Sequence, residues 1–197
     1  MYKGINGIAD AVRENKKGII YAHGLGQGQT ACACARIMKE NPGQMLIIVS
    51  SEKRAEEMRE YLAFFDQGRT CRIFPDEERS LFSYDARSRV NSYRRIECLT
   101  ALLEGREGYY IAPVMAAERG MSTAEQFRAS EIHLKTGEVP GPGLVEKLAG
   151  LGYERTAVAE VAGQFSVRGE ILDVFSPGRE FPFRIDFFDT GGKHPDL

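Results

Sequence analysis

Four short apolar runs constrain the fold of this chain more than any other feature. They are Gly18–Ala22 (GIIYA), Met45–Val49 (MLIIV), Thr70–Phe74 (TCRIF) and Gly108–Val114 (GYYIAPV). Each is too short for a buried helix, and β-branched and aromatic residues dominate them, so each predicts a buried strand. The segments around them carry helical spacing instead. Ile5, Ile8 and Val12 share one helical face over residues 4–15, and a second helical pattern covers residues 30–40. Ser51 is placed to cap a helix from Glu52 to Phe64, with Ala55, Met58 and Leu62 on its apolar side. Residues 86–104 predict a long helix with Val90, Ile96, Leu99 and Leu103 inward. Short apolar strands alternating with helices are the pattern of an α/β domain built on a mainly parallel sheet.

The rhythm changes after about Gly120. Residues 131–136 predict a strand, Pro140-Gly141-Pro142-Gly143 punctuates the chain, and a short helix follows over 144–151. Strands dominate from Thr156 onward. The expected division is an α/β lobe over 1–127 and a smaller α+β domain over 128–197. A chain of 197 residues with 43% hydrophobic content can bury one sizeable core and a satellite.

The second domain is organised around Gly163–Phe188, GQFSVRGEILDVFSPGREFPFRIDFF. Its residues alternate in character, and Gly169, Pro177, Gly178 and Pro182 mark turns between strands. Successive strand side chains point to opposite faces. Phe183, Ile185 and Phe187 therefore belong to a core, and Arg184, Asp186 and Phe188 share the other face. Two readings fit that second face. An arginine beside a large aromatic is the composition of an interface anchor; alternatively, the strand is buried on both sides and Arg184 pairs with an aspartate.

Several function classes are disfavoured by composition. The net charge of −2 gives no global attraction to nucleic acid or anionic lipid. The first residues contain no apolar run like a signal peptide, and no later stretch approaches a membrane span, so a cytoplasmic location without membrane association is expected. Cys32, Cys34, Cys71 and Cys98 fit no zinc spacing and read as small hydrophobes in a reducing compartment. His23, His133 and His194 stand apart from any nucleophile or carboxylate at a catalytic spacing. No metal site, cofactor or catalytic residue is expected.

A glycine-rich loop lies between the first predicted strand and the following helix: His23-Gly24-Leu25-Gly26-Gln27-Gly28-Gln29-Thr30. A phosphate loop of the form G-x-x-x-x-G-K-[ST] cradles phosphates with backbone N–H groups, reaches them with lysine and holds a metal ion with Ser/Thr. Here Gly28 and Thr30 match, His23 replaces the first glycine and Gln29 replaces the lysine. A unit charge pair at 4 Å is worth about 4 kcal/mol at an effective dielectric near 20, so the lost lysine weakens any nucleotide site. The loop reads as a degenerate phosphate loop and the chain as a non-enzyme. The competing reading is a nucleotide- or DNA-binding helicase lobe. It rests on this loop and on Arg87, Arg89, Arg94 and Arg95, which either track phosphates or form a solvated helix face.

The loop, FPDEERSLFSYD at 74–85, Arg94-Arg95, YYIAPVMA and above all GYERTAVAEVAGQFSVRGEILDVFSPGREFPFRIDFF resemble one family. It is the N-terminal region of the bacterial transcription-repair coupling factors, the Mfd family, itself similar to the front of the excision-repair helicase UvrB. Gln29 in place of lysine and the short, tyrosine-poor segment from Phe74 to Tyr93 favour the coupling factors over UvrB. The resemblance implies a RecA-like parallel-sheet lobe with a degenerate phosphate loop, plus a small α+β domain that docks onto UvrA. Its UvrA-contacting positions fall on Arg168, Arg184 and Phe188. The implied role is non-catalytic recruitment of UvrA to stalled RNA polymerase in nucleotide excision repair. Members of the family are longer, and their RNA-polymerase-binding module and ATP-dependent DNA translocase motor have no counterpart here, so the chain reads as a fragment. Residues 190–197 depart from the family pattern.

Overall fold

A computed structural model describes residues 4–14, 17–76, 86–135 and 143–187, with 86–89 described by backbone alone. The chain divides into two compact units, Met1–Arg119 and Gly120–Leu197.

The first unit contains α1 (Gly4–Glu14), α2 (Gln27–Glu40), β1 (Gln44–Val49), α3 (Glu52–Phe65), β2 (Cys71–Ile73), α4 (Ala86–Leu103), β3 (Gly108–Pro113) and α5 (Val114–Glu118). Its sheet is parallel, in the order β1-β3-β2, with α3 and α4 as the crossovers. β3 is the central strand and is buried along its whole length, which is why its sequence is continuously apolar rather than alternating. Tyr109 and Ile111 face α2 and α3, where Ala31, Met38, Ala55, Met58 and Leu62 close the core. Phe74, Cys98, Ala112 and Ala116 form a second cluster. Ser51 caps α3 as expected, its Oγ accepting from the Arg54 N–H at 3.3 Å.

Three expectations for this unit need correction. Gly18–Ala22 is not a strand: Ile19 and Tyr21 are almost four-fifths exposed, and the described sheet begins with β1. An apolar run becomes a strand only where an edge accepts its backbone bonds, and periodicity contains no information about edges. β1 is not a buried strand but an edge strand covered on one face, with Leu46 61% and Ile48 50% exposed. On α4, Val90 and Ile96 are exposed, and Arg95, Cys98 and Ala101 face inward instead. The helix turns this way because Arg95 packs its guanidinium over the Phe74 ring, 4.0 Å from the centroid, and Arg95 Nη1 donates to the Pro75 carbonyl at 2.9 Å. A long cationic side chain can bury when its head finds a carbonyl and a ring. The turn expected between Pro75 and Tyr84 lies largely outside the described residues.

The second unit contains α6 (Ala124–Ala129), α7 (Leu144–Gly150), β4 (Glu154–Arg155), β5 (Gln164–Arg168), β6 (Ile171–Phe175) and β7 (Phe183–Asp186). Thr123 and Gln126 start α6 with a reciprocal capping box at 3.0 and 3.2 Å. The sheet order is β4-β5-β6-β7; β4 runs parallel to β5 and the remaining pairs are antiparallel. Gly169, at φ +60°, begins the two-residue turn between β5 and β6, where Arg168 pairs with Ile171. Tight hairpins need positive φ at that position, and glycine supplies it without strain. Phe165, Leu172, Val174 and Phe187 pack with Leu144 and Leu148 of α7, and Ile185 joins them half-buried.

Two expectations fail in this unit. Residues 131–135 form no strand, although Ile132 packs onto the core from an irregular segment. Phe183 is 48% exposed rather than buried. It stands on the last described strand of the sheet, with the Arg179 guanidinium 5.1 Å from its ring centroid.

Candidate docking face

Strand register places a row of polar side chains on the sheet face opposite the α7 core. Asp173 of β6 lies directly across from Ser166 of β5 and from Arg184 of β7. Arg168, two residues beyond Ser166, shares that face. Opposite charges on facing strand positions attract across the short cross-strand distance, and here the contact is bidentate. Arg184 Nε donates to Asp173 Oδ1 at 2.7 Å and Arg184 Nη2 donates to Oδ2 at 3.0 Å. Arg168 Nη2 donates to the same Oδ2 at 3.0 Å.

The three groups differ sharply in exposure. The Asp173 side chain is 7% exposed, whereas Arg168 and Arg184 are 52% and 62% exposed. The carboxylate is buried beneath two guanidiniums that remain open to solvent. Its pKa is lowered, first by the Arg184 hydrogen bonds and then by Arg168, against the opposing effect of burial. The Arg184 pKa is raised by the same contact. Asp186, two residues beyond Arg184 on the same face of β7, adds a second carboxylate near the pair and also raises the Arg184 pKa. Ser166 is almost fully buried in the same row, and its Oγ has no hydrogen-bond partner among the described residues.

Both sequence readings of this face contributed part of the result. Arg184 does pair with an aspartate, as in the buried-strand reading. It is nevertheless exposed, as an anchor must be. Of the three predicted contact positions, Arg168 and Arg184 come together on one carboxylate, and Phe188 lies outside the described residues. Sequence reasoning missed Asp173. The signal was available in Leu172-Asp173-Val174-Phe175, an acid within an apolar strand, since such residues are rarely buried without a partner.

The glycine loop leads into α2, and its polar groups are turned on themselves. Gln29 Oε1 accepts from the Gly26 N–H at 2.9 Å, and the Thr30 hydroxyl donates to the Gly26 carbonyl at 3.1 Å. The side chain at the lysine position thus caps the helix, and the hydroxyl at the metal position is bonded to backbone. Gly24 takes φ +77° and His23 is exposed. Leu25, Gly26, Val49, Ser50, Arg54 and Tyr61 line a surface depression beside the loop. Gly28 lies against the Tyr61 ring. Arg54 is the guanidinium in that depression, and it is already paired with Glu57 at 3.2 Å.

Of the arginines on α4, the two with described side chains do not share a basic face. Arg94 is exposed and Arg95 is buried, while the side chains of Arg87 and Arg89 lie outside the described residues. The cysteines are free thiols, and burial pushes Cys71 and Cys98 up to about 11. Among the described residues no group of three or more His, Cys, Asp or Glu converges to hold a metal ion. No described helix is long and apolar enough to cross a membrane.

A parallel α/β unit joined to a small sheet unit with an arginine-rich face defines a class of protein, and comparison with known families bears on it. Residues 132–191 match the family model described as the UvrB interaction domain. Over a much longer span the chain is similar to the transcription-repair-coupling factors. It is 27% identical over 168 residues to the factor of Staphylococcus aureus (strain bovine RF122 / ET3-1), covering 85% of this chain and 14% of that protein. It is 24% identical over 187 residues to the factor of Bacillus subtilis (strain 168), covering 94% of this chain and 16% of that protein. The resemblance read from the sequence therefore extends across both units, and the chain corresponds to a small part of these relatives' length.

Proposed function

We propose that this chain is a non-catalytic docking module of transcription-coupled nucleotide excision repair, and that its second unit binds UvrA. The observation that carries this reading is the pair of exposed guanidiniums, Arg168 and Arg184, set on the Asp173 carboxylate within the segment that matches the UvrB interaction domain. Arginine suits the task because its planar fork holds carboxylates in two-point contacts and is more weakly hydrated than an ammonium. Phe188, the third contact position expected from the sequence, is proposed as the apolar anchor of the same interaction. In the longer relatives, RNA polymerase and DNA engage other regions, and this module brings UvrA to the stalled polymerase.

The first unit serves as a scaffold rather than a nucleotide site. The Gln29 cap and the Thr30 hydrogen bond support this, because both occupy groups that a phosphate and a metal ion would need. Titration calorimetry with purified UvrA tests the docking role. The parent chain binds, and Arg184→Ala weakens binding by about thirty-fold, or roughly 2 kcal/mol, the threshold of an interface hot spot. Equal affinity of parent and variant, both folded, sinks the assignment.

A further inference from the structure

We propose that Asp173 is the positioning residue of the docking face, holding Arg168 and Arg184 as a preset pair whose remaining N–H groups grip carboxylates on the partner. The inference rests on the docking reading and deepens it.

The geometry carries the argument. Of the five N–H donors in a guanidinium, Arg184 commits two to Asp173 and Arg168 commits one. The others are left to a partner, on side chains more than half exposed. A long exposed arginine ordinarily samples many rotamers, and fixing it on binding costs entropy. Here one buried carboxylate fixes two such side chains before the partner arrives. The planar Arg184 fork is set by a two-point contact, so its orientation as well as its position is defined. What remains is a set of directed guanidinium N–H donors open to solvent, which suits carboxylates on a partner surface.

The sign of one substitution separates positioning from simple charge. Asp173→Asn removes a negative charge beneath a face that meets carboxylates, so electrostatics alone predicts tighter binding. Loss of positioning predicts weaker binding, because the amide cannot accept the Arg184 fork at both ends.

The experiment is a double-mutant cycle by titration calorimetry against UvrA, using the full chain and four forms: parent, Asp173→Asn, Arg168→Ala/Arg184→Ala, and the triple variant. The expected result is about ten-fold weaker binding for Asp173→Asn and less than two-fold further loss when it is added to the double-alanine form. Unchanged or tighter binding by Asp173→Asn, with the double-alanine form weakened, overturns positioning and leaves the docking reading standing. An equal loss in both backgrounds also overturns it, because that is general damage to the unit. A folded parent that does not bind, or binds no better than the double-alanine form, overturns the docking reading and this proposal with it. If Asp173→Asn does not fold, ¹⁵N relaxation of the Arg184 Nε–H group in the free parent decides: restricted motion is expected, and free rotation overturns the proposal.

Discussion

Arg95 offers a sharp test of the first unit, because charge and burial predict opposite roles for it. Its sequence neighbourhood is basic, yet its side chain is buried, stacked on Phe74 and bonded to the Pro75 carbonyl. Arg95→Met keeps most of the aliphatic stem and removes both contacts. A hydrogen bond to a charged group contributes about 1.5–3 kcal/mol, and a desolvated cation–π contact about 2 kcal/mol. Relief of the cost of burying a charge offsets part of that sum. A net loss of roughly 2–3 kcal/mol is expected. Urea unfolding followed by circular dichroism is the assay. With a denaturant slope of about 2 kcal/mol per molar, the midpoint of the first unit falls by roughly 1–1.5 M. DNA affinity, measured in parallel by fluorescence anisotropy, stays at the parent's level. A midpoint within about 0.2 M of the parent, or reduced DNA affinity at unchanged stability, refutes the assignment of Arg95 to the core.

Three further outcomes follow from the second unit. Leu172→Ala empties a fully buried site beside Phe165 and α7 and destabilises the unit by about 3 kcal/mol, measurable as a lowered urea midpoint. Ser166→Ala removes a buried hydroxyl without a described partner, so its unfolding free energy stays within about 1 kcal/mol of the parent's, on the stabilising side. Acid titration reads the arginine cluster. Because the folded pKa of Asp173 is depressed, its contribution is fully present above the unfolded carboxylate pKa of about 3.9 and is lost as pH falls through the lower folded value. The stability gap between parent and Asp173→Asn therefore narrows below about pH 4, and a gap unchanged down to pH 2 contradicts the contact.

Much of this architecture was legible along the chain because it depends on local periodicity. The Ala55-Met58-Leu62 stripe of α3, the Ser51 cap and the continuously apolar β3 all follow from short-range spacing. So does the side of β7 on which Arg184 projects, since strand alternation is a property of the backbone. Tertiary structure decided whatever depends on the neighbour supplied. Gly18–Ala22 has the composition of a strand but pairs with neither edge of the described sheet. Arg95 displaced Val90 and Ile96 from the inward face of α4 because a ring and a carbonyl were waiting for it. The chain by itself put Arg184 on the face of β7 opposite Ile185, and left open whether that face is buried. Only the pairing of β5, β6 and β7 set Arg168 and Arg184 on Asp173, because residues five and eleven positions from that carboxylate meet it solely through antiparallel register.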